Sequence, residues 1–197
     1  MKKIALIVLA FTTISLSSIA QNWKLDPAHS RIHFSTKYLV ITDVEGSFKT
    51  FDGTFSSAKP DWSDLKANVT VQVSSLTTDN EMRDGHLKSD DFFNAEKYPV
   101  ILFKSSGVKQ MEKNKYILKG ELTIRDVTKT VELPLVYGGT VKDPWGNIKA
   151  GFKATGKINR KEFNLKYSNA AASGEAVVSD DVEFIIDAVL IKQSLTE

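Results

Sequence analysis

The sequence predicts an all-β protein with a short helical insertion, folded as an extended eight-stranded antiparallel barrel. Three observations carry this. Apolar and polar residues alternate with period two over most of the chain, and turn residues punctuate that alternation at short intervals. One segment, Ser74 to Pro99, breaks the pattern with helix-start signals. At 197 residues, 42% hydrophobic and 25% charged, the chain is long enough for one domain with its own core.

The alternation is clearest where Leu65, Ala67, Val69, Val71 and Val73 face one way and Lys66, Asn68, Thr70 and Gln72 the other. That is the signature of a half-buried strand. It recurs in Leu118 to Ile124, Val131 to Tyr137 and Phe152 to Ile158. Strands are expected near 30–37, 44–56, 65–74, 100–112, 115–125, 128–142, 147–160 and 181–192. Several exceed the usual ~5–6 residues, so bends are expected at Gly46, Gly53 and Gly107. Lys113-Asn114, Asp126, Gly138-Gly139 and Asp143-Pro144-Trp145-Gly146 mark turns. Short connections imply antiparallel neighbours in a sandwich or a barrel, and closure favours the barrel because it removes exposed edges.

In Ser74 to Pro99, Thr78 with Glu81 matches a capping box, and Ser89 before Asp90-Asp91 resembles a second helix start. Asn164 to Asp180, rich in Ala, Ser, Asn and Gly, reads as a long loop suited to a lid or a mouth.

Residues 1–20 read as a secretory signal: Lys2 and Lys3, an apolar stretch from Ile4 fading into Thr and Ser, and small residues Ser18 and Ala20 at the cleavage site. The working domain is then 21–197, exported from the cytoplasm. The chain carries 26 Lys and Arg against 24 Asp and Glu, so losing Lys2 and Lys3 leaves it neutral. A nucleic-acid partner loses its electrostatic argument. With no cysteine, thiolate metal sites, disulfides and a cysteine nucleophile are excluded.

If the alternating apolar residues point inward, they line a channel. The expected lining is Ile32 and Phe34, then Val69 and Val71, then Leu118, Gly120 and Leu122, with Leu133, then Phe152, Ala154 and Ile158, and finally Phe184. Small residues among them leave the interior short of filling side chains, and a hydrocarbon chain suits such a space. An ordinary packed core, with glycines for curvature, is the competing reading.

Asp26, His29 and Ser30 supply the residue types of a nucleophilic triad, but strand neighbours point to opposite faces and no nucleophile elbow is present. His29 and His33 lie ~13 Å apart on an extended strand, too far to share a metal ion. No catalytic residue, metal or cofactor is assigned. Arg83, Asp84 and His86 suit either an anionic head group at the mouth or a structural cluster.

The ordered blocks along the chain resemble the YceI-like, polyisoprenoid-binding family of secreted bacterial proteins. They begin with Trp23-Lys24-Leu25-Asp26-Pro27-Ala28-His29-Ser30 and Val44-Glu45-Gly46-Ser47-Phe48. Arg83-Asp84-Gly85-His86-Leu87, Asp91-Phe92-Phe93-Asn94 and Tyr98-Pro99 follow, then Leu118 to Ile124 and Ile158-Asn159-Arg160-Lys161-Glu162-Phe163. The resemblance implies a lipocalin-like barrel in the periplasm that binds an isoprenoid, quinone or fatty-chain molecule without catalysis. The residues assigned to the head group or mouth are His29, Arg83, Asp84, His86 and Arg160. A carrier of this kind leaves room for transient membrane contact, as a monomer or a homodimer. The alternative is an enzyme or redox accessory acting on the bound quinone or isoprenoid. Asn164 stands where a glycine is expected, so the bend there is expected to differ.

Overall fold

The computed structural model describes residues 20–194, so the expected leader lies outside the described residues except for Ala20. The early strands are β1 (Gln21–Leu25), β2 (Arg31–Tyr38), β3 (Thr42–Phe48), β4 (Phe51–Ser57), β5 (Lys66–Gln72) and β6 (Leu76–Thr77), followed by the helix α1 (Glu81–Lys88). After it come β7 (Val100–Glu112), β8 (Lys115–Ile124), β9 (Val127–Lys142), β10 (Ile148–Asn159) and β11 (Val178–Lys192).

These strands form eight staves. β1 and β2 are one stave interrupted at Asp26-Pro27, and both pair with β11, Leu25 opposite Leu190 and Arg31 opposite Asp187. Proline has no N–H to give a ladder, so the break falls there. β3 and β4 are likewise broken at Lys49-Thr50, and β5 and β6 by a 3-10 turn over Val73–Ser75. The ring runs β1-β4-β5-β7-β8-β9-β10-β11 and closes through β1 against β11, every pairing antiparallel. The result is the closed eight-stranded barrel that the alternation predicts, with one short α-helix among the described residues.

Ladder irregularities bend the long staves. The register shifts between Ser105 and Gly107, where a bend is expected, and between Gly151 and Phe152.

Four local expectations are corrected. The helix covers only Glu81–Lys88, and its cap is Asn80, whose side chain accepts from the Arg83 N–H at 3.0 Å. Thr78 is not the cap; its N–H and hydroxyl donate to Asp84 at 2.7 and 2.6 Å. Ser89 ends this helix rather than starting another. The long loop stops at Val177, because 178–180 belong to β11. Asn164 adopts φ 60° and ψ 24°, the left-handed conformation a glycine would supply, so the bend forms despite the substitution.

One end of the barrel is plugged. Trp62, between β4 and β5, lies 4.9 Å from both the Trp23 and Phe152 rings and is 4% exposed. Asp64 fixes this segment by accepting from Ser57 Oγ at 2.6 Å and from the Ala58 N–H at 2.9 Å. The Tyr116 hydroxyl adds a hydrogen bond to the Asp61 carbonyl. The opposite end gathers the β2–β3 tip, α1 and the segment from Asn164 to Val177.

Candidate ligand channel

A cavity of about 600 Å³ runs through the barrel, from Leu25, Leu65 and Leu190 above the plug to Tyr38, Arg83, His86 and Tyr167 at the other end. Along β11 its lining extends from Val178 to Leu190. At ~3.3 Å per residue and a strand tilt near ~40°, that is roughly 30 Å of channel. Ile32, Phe34, Val69, Val71, Leu118, Leu122, Leu133, Phe152, Ala154, Ile158 and Phe184 all reach it. The strand period alone places them there, since every second residue of a closed sheet faces inward.

Gly120 does not line the cavity. A Cβ at Gly120 would stand 2.5 Å from Cζ of Phe103, because the Phe103 ring lies over it. The space attributed to that glycine is a seat for an aromatic ring.

The residues expected at the mouth separate into two groups. Arg83, His86 and Arg160 border the cavity, whereas His29 and Asp84 do not. His29 points outward, its side chain 63% exposed, with Nδ1 2.9 Å from Asp26. Asp84 is spent on Thr78; burial raises its pKa, but the Thr78 hydroxyl and N–H outweigh that and hold the carboxyl below its ordinary range.

Arg160 touches the cavity with no donor left to give. Its five N–H groups meet the carbonyls of Ser179 (2.9 Å), Leu165 (3.0 Å), Tyr167 (2.7 Å) and Val178 (3.3 Å), and Asp180 Oδ1 (3.2 Å). It clasps the segment that returns from β10 to β11. Arg83 differs: Nε donates to Thr78 Oγ1 at 2.7 Å and Nη2 to the Thr78 carbonyl at 2.8 Å, while Nη1 makes no hydrogen bond among the described residues. His86 holds Asp91 Oδ2 through Nε2 at 2.9 Å and stands edge-on to Phe92 and Tyr167, which stack 5.0 Å apart.

The residue types of a triad are engaged elsewhere. Ser30 Oγ donates to the Val189 carbonyl at 3.4 Å and accepts from the Val189 N–H at 2.9 Å, so it patches the ladder where β1 breaks. Asp26 binds Lys149 Nζ at 2.9 Å. Asp187 directs its carboxylate to Lys153 at 3.3 Å, on the outer face. Among the described residues no group of three or more His, Cys, Asp and Glu is placed to hold a metal ion.

Tyr38, Tyr167 and Val177 border the mouth without having been expected there. The long loop containing Tyr167 and Val177 was the signal available in the sequence.

A family model described as the YceI-like domain matches residues 23–190. Protein YceI of Escherichia coli O157:H7 is 38% identical over 188 residues, 93% of this chain and 97% of that protein. Among solved structures, Burkholderia cenocepacia BcnA is similar at TM-score 0.73 and 25% identity, over 84% of this chain and 98% of that one. A domain from Saccharophagus degradans, described as polyisoprenoid binding and implicated in plant cell wall breakdown, has the same fold at TM-score 0.64 and 15% identity, over 87% of this chain and 98% of its own.

Proposed function

The chain belongs to the YceI-like domain family, and on that footing we propose that it binds and carries one long-chain isoprenoid or fatty amphiphile, quinones included, in the barrel channel without chemical change. One observation carries the reading: an apolar cavity about 600 Å³ in volume that is plugged at one end and bordered by Arg83 and His86 at the other. A channel of roughly 30 Å matches the whole hydrocarbon thickness of a bilayer, about twice the depth of one leaflet. That supports a chain longer than an ordinary acyl tail. Each buried CH₂ contributes ~0.8 kcal/mol, so affinity comes from the chain and head-group selectivity is loose.

Arg83 Nη1 and the open side of His86 are the groups we assign to the head group. We place the protein in the periplasm, with residues 1–20 as a cleaved signal, on the strength of the sequence of that segment.

Native mass spectrometry of the protein purified from its own periplasm, with extraction of any released molecule, tests this reading. The expected result is one long-chain amphiphile per protein. A mass that stays ligand-free after incubation with farnesol, solanesol and palmitate would overturn it.

A further inference from the structure

The tip that joins β2 to β3 is built against the usual chemistry of such turns. The Ile41 N–H donates to the Tyr38 carbonyl at 3.2 Å, and the two residues between them, Leu39 and Val40, both have positive φ, 49° and 64°. Two successive left-handed residues make a type I′ turn, a place that favours Asn-Gly. A side chain branched at Cβ, as in Val40, is strained there. Solvation is unfavourable as well, because Val40 is 66% and Ile41 82% exposed. Conformation and hydration would both improve with polar residues, so these side chains are suited to meet something other than water.

Their position indicates what. Tyr38 and Val44 of the same hairpin line the channel, and the Leu39 N–H donates to the carbonyl of Val177, another mouth residue, at 3.0 Å. Met82, next to Arg83 on α1, is 87% exposed. Exposed apolar side chains therefore continue the channel lining outward past its rim.

We propose that Leu39 to Ile41, with Met82, form the surface by which the protein docks on a lipid bilayer. The tip inserts into the boundary between head groups and acyl chains, and a hydrocarbon chain enters the mouth without crossing water. This rests on the channel reading. A protein partner fits less well, because a stable interface covers ~800 Å² on each side, more than a three-residue convex tip presents. Lys37 is matched by Asp43 at 2.9 Å, so the tip itself attaches through apolar side chains, and anionic lipid is not required for insertion there.

Flotation with phosphatidylcholine vesicles, and separately with phosphatidylethanolamine–phosphatidylglycerol vesicles, tests the proposal. The native protein is expected to float with both. The Val40→Asp/Ile41→Asp double variant should lose at least about tenfold in partitioning, since each apolar side chain contributes on that scale. Leu39→Asn/Val40→Gly is expected to keep the barrel, raise its melting temperature and weaken flotation, which separates docking from folding. Trp145→Asp changes an 81% exposed residue at the plugged end and should float normally.

Failure of the native protein to float, flotation unaffected by the tip variants, or loss only in Trp145→Asp would each overturn the proposal. So would light scattering that shows a dimer dissolved by the tip variants, which would assign the tip to a second copy. Binding of dansyl-labelled farnesol in vesicle-free solution is measured in parallel. If that probe binds and the protein does not float, docking fails and the channel reading stands. Flotation without probe binding gives the reverse.

Discussion

Phe34 and Gly46 face each other across the β2–β3 ladder, and the phenylalanine ring occupies the place where a side chain on Gly46 would stand. A Cβ there would lie 2.3 Å from Phe34 Cζ. The same arrangement puts Phe184 over its ladder partner Gly156, at 2.2 Å, and Phe103 over Gly120. Three rings thus lie flat on the barrel wall instead of projecting across its axis, and the glycines keep the channel open by letting them do so.

Adding a methyl group at Gly156 should push the Phe184 ring off the wall. Gly156→Ala is expected to weaken binding of a fluorescent polyprenyl probe and to cost about 1–3 kcal/mol in urea denaturation, the usual scale of overpacking. Gly120→Ala should cost more, because its Cβ also meets the rigid backbone carbonyl of Lys104 at 2.6 Å. Equal costs for the two would contradict this account of the wall.

Ala154 lines the channel with a side chain of a single methyl group, so it fills little of the space there. Ala154→Phe is therefore expected to obstruct the channel, lowering probe affinity at least about tenfold at the scale of a lost apolar contact surface. Far-UV circular dichroism should stay unchanged. Full binding by a folded variant would put the hydrocarbon elsewhere.

Removing Arg160 leaves four carbonyls and one carboxylate oxygen without their donor. Arg160→Ala should destabilise the fold by about 3 kcal/mol. Arg160→Lys should rescue little, since an ammonium has fewer donors and no planar fork. Hydrogen exchange should speed up at the Tyr167 and Val177 amides, whose acceptors are the Asp91 and Asn169 carbonyls. Protection that persists there would show that the clasp is dispensable.

Asp26 couples stability to pH. Burial raises its pKa, but hydrogen bonds from Lys149 and His29 outweigh this and hold it below the ordinary carboxylate value. The unfolded chain therefore takes up its proton first. Stabilisation is complete above about pH 4, the unfolded value, and is lost as pH falls through the depressed folded one. The hydrogen bond to Asp26 raises the Lys149 pKa, so that contribution holds below about pH 10 and is lost as pH rises through the folded value. Asp26→Asn should lower urea midpoints at neutral pH and converge with the native protein in acid. Parallel curves for the two would remove the pair from the pH response.

The barrel was legible because period two is a local property: once the sheet closes, Val69, Leu118 and Phe152 have only one face to turn inward. Interruptions were harder to read. β1 was missed because Asp26-Pro27 leaves only five residues before the break, and the continuity of that stave comes from pairing with β11, far along the chain. The helix cap was misplaced because the Thr78–Glu81 spacing imitates a capping box, whereas Thr78 is taken by Asp84 inside the helix and Asn80 makes the cap. Trp62 as a plug was invisible, since its partners Trp23 and Phe152 come from distant strands. At the mouth, Arg83 and Arg160 look alike in sequence, and only the returning carbonyls of 165–179 distinguish a clasp from an available donor.

β11 is the last strand among the described residues, and it hydrogen-bonds to β10 on one edge and to both β2 and β1 on the other. Until Val178–Lys192 is in place, the other seven staves are an open sheet whose lining faces water and whose two edges are unpaired. Shielding of the interior is thus a late, all-or-none event that waits on contacts between the first and last strands. Topology of this kind folds slowly, because loop-closure entropy is lost before the long-range contacts form. A nascent chain halted before Val178 has both its apolar face and two bare ladders open to other chains, so the interval before the last stave docks is when this protein most needs protection from aggregation.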